Sequence, residues 1–286
     1  MSKGTLSFTG KLGLSEEDKS TFLGLAAMVI IIRTGHGKVL KEGRKGDSVH
    51  YFLDFPPQPA IIRGMPRSPR ASQGGYCYHV LNRGNGRRTV FHKEGDYAAF
   101  VKLLRQAGER TPGVRLIGYC LMPNHFHLAL WPRNDGELSD YMMWLLTAHV
   151  RRYHQHYHGS GHVWQGRFRS FPIQEDDHLL TVPCYIERNP VRAGLVAAAQ
   201  AWLWSSAAAP RGGEPILDPG PVPRPADWLA HVNEPQTEAE VERLRDCLRR
   251  RRPYGDALWM VRTAKRLGLE ASLRPLGRPK KETDAE

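Results

Sequence analysis

Leu121-Met122-Pro123-Asn124-His125-Phe126-His127-Leu128-Ala129-Leu130 is the stretch on which the fold turns. Pro123-Asn124 reads as a turn, because proline cannot donate to a strand ladder and asparagine tolerates turn geometry. Val114 to Met122 before it and His125 to Trp131 after it are rich in β-forming residues, so they read as a strand and its return. Successive strand residues point to opposite faces, which puts His125 and His127 on one face and Phe126, Leu128 and Leu130 on the other. Working outward, Tyr76 to Arg83 is a further strand, closed by the glycine-rich Asn82-Arg83-Gly84-Asn85-Gly86. Glu94 to Arg110 carries Tyr97, Phe100, Val101 and Leu104 at helical spacing, and Leu138 to about Tyr157 carries Tyr141, Met142, Leu145 and Leu146 on one stripe. Phe168 to Gln174 supplies a fourth strand, and Asp177 to Asn189 a helix that Pro190 stops. The order β-α-β-β-α-β-α predicts an α+β fold: a ferredoxin-like split βαβ domain with an antiparallel sheet and one extra helix.

The flanks read differently. Pro210 to Pro225 holds six prolines and three glycines in 16 residues, the composition of a semi-rigid linker. Thr237-Glu238-Ala239-Glu240 has the form of a capping box opening a helix to about Arg250. Asp256 caps a second short helix, which Gly268 ends. The expected layout is a folded domain over 65–208, a linker over 209–236 and a basic helical tail over 237–286. Residues 1–64 read as a poorly ordered extension interrupted by Pro56, Pro57 and Pro59, and Met65 opens a segment that could itself begin a protein.

The 286 residues hold 41 Lys+Arg against 29 Asp+Glu, a net charge of +12, which points to an acidic partner and first to nucleic acid. From Arg243 to Lys281 there are 13 basic and three acidic residues, including the run Arg249-Arg250-Arg251-Arg252 and the segment Gly277-Arg278-Pro279-Lys280-Lys281. That density suits phosphate contact by Arg250, Arg251, Arg278 and Lys280. The longest apolar stretch, Phe22 to Ile32, is about half a membrane span, and no segment has the form of a secretory leader. The four cysteines are scattered without a CxxC pair, against both a disulfide framework and a zinc ribbon. No Walker-type glycine loop is present, so no nucleotide cofactor is expected. The expected setting is the cytoplasm, on the nucleoid, with no membrane.

Two imidazoles on one strand face, roughly 7 Å apart by strand rise, can grip one divalent metal or can equally be two histidines on a half-exposed strand. In Tyr185-Ile186-Glu187-Arg188-Asn189-Pro190-Val191-Arg192, Tyr185 and Asn189 are four apart, so on a helix they share a face. A tyrosine there is either a hydroxyl nucleophile beside a metal or a core residue. With a phenol pKa of about 10 it is a poor nucleophile unassisted.

Leu121 to Leu128 followed by Tyr185 to Val191 resembles the single-tyrosine HUH transposases of the IS200-like family, and more closely their REP-associated branch. Tyr78-His79-Val80-Leu81-Asn82-Arg83-Gly84 is similar to that branch's first strand, and Val163-Trp164-Gln165-Gly166-Arg167-Phe168 to its segment before the last strand. The likeness spans about residues 65 to 281. It implies that His125 and His127 bind the metal, that Asn189 falls where the third ligand sits, and that Tyr185 is the nucleophile. The implied reaction cuts single-stranded DNA through a 5′-phosphotyrosyl link, with Mg2+ or Mn2+ as cofactor and no ATP. It further implies single-stranded DNA hairpins as partners and action as a monomer. Arg83, Arg87, Arg88, Arg167 and Arg169 are candidates for phosphate or base contact, with Trp164 as a stacking platform. Two other readings compete: a domesticated, non-catalytic hairpin binder on the same fold, and a ferredoxin-like RNA-binding module, whose aromatic-rich pattern the first strand lacks. The leading reading assigns grip on phosphates to the basic tail and cutting to the middle, so that truncation after about Pro235 would weaken binding more than it damages the site.

Overall fold

A computed structural model of the protein describes residues 72–209 and 216–274. The proposed N-terminal extension, Arg278 and Lys280 lie outside the described residues.

Four strands, β1 (Cys77–Arg83), β2 (Val114–Met122), β3 (His125–Pro132) and β4 (Arg169–Ile173), form one sheet in the order β2-β3-β1-β4. Every pairing is antiparallel. Helix α1 (Glu94–Arg110) connects β1 to β2, and α2 (Glu137–Tyr157) connects β3 to β4. This is the ferredoxin-like split βαβ arrangement the periodicities predict. The turn at Pro123-Asn124 brings β2 and β3 together, so that Met122 stands opposite His125 and Cys120 opposite His127.

The alternation along β3 sorts its side chains as expected. Phe126, Leu128 and Leu130 pack with Tyr78 and Val80 of β1 against Phe100 and Leu104 of α1 and Tyr141, Met142 and Leu145 of α2. The opposite face is not left to solvent. It is covered by α3 (Asp177–Glu187) and α6 (Glu238–Arg250), whose Leu179, Val182, Tyr185, Ile186, Val241, Leu244 and Leu248 form a second core with Leu81, Ala129, Phe171 and Ile173. The histidine face is therefore the floor of a buried layer.

Three expectations are corrected here. The tyrosine helix ends at Glu187 rather than Asn189, and a further turn, α4 (Asn189–Arg192), follows at once. Pro190 lies in the first turn of α4, where its missing N–H is not needed, so it opens a helix instead of stopping one. The Pro/Gly-rich stretch is not a free spacer among its described residues: Asp218 N–H donates to the Leu116 carbonyl at 2.7 Å, and α5 (Trp228–Asn233) packs on α3. Its prolines fit an irregular path along the sheet edge, where no ladder hydrogen bond is lost. Finally, α6 is no appended tail. Thr237 caps it in a reciprocal box with Glu240, as expected, but its apolar stripe is part of the second core. Beyond it Tyr254 joins β4, accepting from Gln174 N–H and donating to the Pro172 carbonyl, each at 2.9 Å. Helix α7 (Ala257–Leu267) is capped by Asp256 and ended by Gly268, whose φ of 66° suits a residue without Cβ. Both sheet edges are covered, β2 by Trp204 to Ser206 and β4 by Tyr254. No described helix is long and apolar enough to cross a membrane.

Candidate active site

Cross-strand register assembles the site. His79 pairs with Ala129 and Phe171, Leu81 with His127 and Arg169, and Arg83 with His125. Partners directly opposite share a face, so His79, Arg83, His125, His127 and Arg169 all lie on the side that α3 covers. Helix α3, capped by the Asp176 carboxylate on His178 N–H, places Tyr185 over them. The Tyr185 ring is edge-on to His127 and His79, with centroids 5.9 and 6.0 Å away. His125 and His127 have ring centroids 5.0 Å apart.

The ring nitrogens are sorted by their partners. Asn124 donates through Nδ2 to the Arg87 carbonyl at 3.1 Å, which turns its Oδ1 toward His125 Nδ1 at 2.6 Å. An amide oxygen only accepts, so His125 carries its proton on Nδ1 and presents a bare lone pair at Nε2. His127 Nδ1 is paired with His79 Nε2 at 2.8 Å, the two rings stacked. The Nε2 atoms of His125 and His127 are both buried and without a hydrogen-bond partner, and so is the Tyr185 hydroxyl, on a residue 0% exposed. Three unpaired buried polar atoms around one tyrosine are costly unless something is meant to meet them.

Electrostatics hold the imidazoles neutral. Burial lowers the His125 pKa to about 3, with Arg83 pushing the same way, and burial alone lowers His79 to about 3. His127 is held well below its ordinary value by burial and then by His125, His79, Arg192 and Arg83. Burial raises the Tyr185 phenol, opposed by Arg192, Arg245 and Arg83. Neutral imidazoles with free Nε2 lone pairs are the form a metal requires. Among the described residues no three His, Cys, Asp or Glu side chains are grouped to hold an ion, so two histidine nitrogens would need an amide, water or phosphate oxygen to complete the shell. The pair fits such an open site.

Residues 72–189 match the family model of IS200-like transposases. A solved REP-associated tyrosine transposase bound to a REP hairpin is 19% identical with a TM-score of 0.39, over 55% of this chain and 94% of that one. A Deinococcus radiodurans R1 protein described as a transposase is 22% identical with a TM-score of 0.30, over 39% of this chain and 88% of that one. No curated protein matches the chain.

Within residues 72–189 the structure brings Tyr185, His125 and His127 together. Asn189 is buried on the same turn, but its amide is engaged: Nδ2 donates to the Tyr185 and Ile186 carbonyls at 3.0 and 3.3 Å, and Oδ1 accepts from Arg192 at 3.2 Å. Arg83 is buried and Arg169 half-buried on the site face, whereas Arg87 is half-buried and Arg88 and Arg167 are exposed. Arg250 and Arg251 are half-buried at the end of α6, where burial and Arg167 lower the Arg251 pKa, placing those two cations near one another. Trp164 contradicts its reading as a stacking platform. It is 4% exposed and wedged among Phe91, Phe100, Phe126 and His149, which leaves no face for a base. Sequence reasoning missed His79, Arg192, Arg245 and Glu187. Alternation along Tyr78 to Arg83 puts His79 and Arg83 on one face, a signal that was available. Only the register reveals that this face is the one bearing His125 and His127.

Proposed function

We propose that the chain is a single-stranded DNA endonuclease and strand transferase that cuts at hairpin-associated sites, with Tyr185 as nucleophile. The observation that carries this reading is the convergence of an unpartnered, buried tyrosine hydroxyl with two neutral histidines whose Nε2 atoms are also unpartnered. Tyr185 Oη gives up its proton and attacks the scissile phosphorus. The bond from phosphorus to the 3′ oxygen breaks, and that oxygen takes a proton to become a free 3′-hydroxyl. The new P–Oη ester conserves the phosphodiester, so a second 3′-hydroxyl can displace Tyr185 and rejoin strands without ATP. His125 and His127 would hold Mg2+ or Mn2+, which when bound polarises the phosphoryl oxygens and fixes their orientation. Asn124 and His79 hold the two imidazoles in the orientation that leaves Nε2 free. Asn189 Oδ1, with one lone pair still open beside the Arg192 contact, is the candidate third ligand. Arg83 and Arg169, on the same face as the histidines, would contact phosphates, and DNA hairpins are the expected partner, bound by a monomer.

The burial of Tyr185 favours one alternative, a hairpin binder that no longer cuts, because the DNA must displace whatever covers the ring. The test is to incubate a labelled single-stranded hairpin with the protein and Mg2+ and resolve SDS-resistant adducts. The wild type should form one, Tyr185→Phe none, and His127→Ala at least about tenfold less. An adduct that survives in Tyr185→Phe refutes the assignment. Tight hairpin binding with no adduct from any substrate establishes the non-catalytic alternative.

A further inference from the structure

Two arginines that lie beyond the family-matched segment act on Tyr185. Arg192 of α4 sets its guanidinium 4.4 Å from the centre of the Tyr185 ring. It is held there by Asn189 Oδ1 at 3.2 Å and by Gln236 Oε1 at 2.8 Å, both neutral acceptors. Arg245, half-buried on α6 next to the core residue Leu244, lies close enough to Tyr185 and Arg192 to act on both, opposing the rise of the Tyr185 phenol and lowering the Arg192 guanidinium. Its Nε is buried and has no hydrogen-bond partner. Among the described residues the arginines in ion pairs are Arg115, Arg224, Arg249 and Arg252, and no described carboxylate lies within ion-pair distance of Arg192 or Arg245. The remaining groups that face the phenol are Arg83, which is also cationic, and His79 and His127, which are neutral. Arg192 and Arg245, two cations near one buried ring with no described carboxylate between them, are unfavourable until an anion arrives. A phosphodiester oxygen matches a guanidinium in charge and geometry.

We propose that Arg192 and Arg245 form a two-arginine seat for the phosphodiester that Tyr185 attacks, so that α6 completes the active site. The proposal rests on the nuclease reading. Arg192 also keeps the ring in place, while Arg245, with its open Nε, makes the contact to the phosphate oxygens.

The test measures single-turnover adduct formation at saturating hairpin DNA, hairpin Kd and the melting midpoint for wild type, Arg192→Gln, Arg245→Gln, Arg245→Lys and the exposed control Arg105→Gln on α1. The seat predicts that each Gln variant slows the saturated rate by about tenfold to a hundredfold, the size of a lost charged hydrogen bond, while Kd moves by less than about threefold. Arg245→Lys recovers part of the rate, and Arg105→Gln matches wild type. If the wild type forms adduct and Arg245→Gln forms it as fast, the seat is refuted and the nuclease reading stands. Equal slowing in Arg245→Gln and Arg245→Lys with a lowered melting midpoint shows a structural role and also refutes the seat. A wild type that forms no adduct overturns the nuclease reading and this inference with it.

Discussion

His149 shows what burial does to an imidazole away from the tyrosine. It is packed against Phe91, Phe100 and Trp164, its Nδ1 has no partner, and burial lowers its pKa to about 4 despite the opposing pull of Asp96. An unfolded histidine titrates near pH 6.5. Between about pH 6.5 and pH 4 the unfolded chain therefore binds a proton that the folded one refuses, so stability falls as pH drops through that window and levels off below it. His79, His125 and His127 are shifted in the same direction and steepen the fall. His149→Phe removes one titrating group. Urea unfolding from pH 7 to pH 4.5 should show a shallower loss of stability in the variant than in wild type, and parallel curves would refute the assignment. At this scale the sequence was partly legible. The alternation of His125-Phe126-His127 assigned the faces correctly. His149 falls one turn beyond Leu145 on the stripe of Tyr141, Met142 and Leu145, so helical spacing marks its inward face, while its ring contacts with Phe91 and Trp164 depend on tertiary packing.

The tyrosine helix is anchored by one carboxylate. Glu187 is fully buried and accepts from Trp228 Nε1 at 2.7 Å, Ser206 Oγ at 2.6 Å and Arg224 at 3.3 Å. Those three donors belong to the stretch that follows α4, so this single residue ties the Pro/Gly-rich segment to the helix that carries Tyr185. Gly118 makes room for the cluster: it sits at a register shift in β2, and a Cβ there would lie 3.3 Å from Ser206 Oγ and 3.6 Å from Glu187 Oε1. Glu187→Gln puts an amide N–H where donors already point. It should cost about 2 to 4 kcal/mol in urea unfolding at pH 7, and a change under about 0.5 kcal/mol would show that the anchor is not a structural one. Most element boundaries were legible because caps and turns are local, as Thr237, Asp256, Gly268 and Pro123-Asn124 show. The packing of Pro210 to Pro225 was not, since composition reports stiffness and turn content but says nothing of a buried acid some thirty residues earlier.

Across the whole molecule the charge does not divide into a gripping tail and a neutral cutting domain. Residues 65–208 hold 17 Lys+Arg against 10 Asp+Glu, a net +7, while residues 209–286 hold 15 against 13, a net +2. The basic run is balanced by acids such as Glu242 and Asp246, which pair with Arg249. Removing residues after Pro235 would strip Val241, Leu244, Leu248 and Tyr254 from the core that encloses Tyr185, Ile186, Leu81 and Phe171. Such a truncation should lose cooperative thermal unfolding and adduct formation together. A truncated protein that melts like the full chain would restore the tail as an appendage. The hydrophobic stripe of α6 was visible in the sequence as an amphipathic helix, but which surface it covers depends on long-range packing that no local pattern encodes. The central claim is that Tyr185 becomes covalently joined to DNA. Its most direct measurement is peptide mass mapping of the protein after reaction with a hairpin substrate and Mg2+, followed by nuclease and protease digestion. The account predicts a nucleotide mass on the peptide containing Tyr185 with fragment ions that place it on that residue, and a nucleotide on any other side chain, or on none, contradicts it.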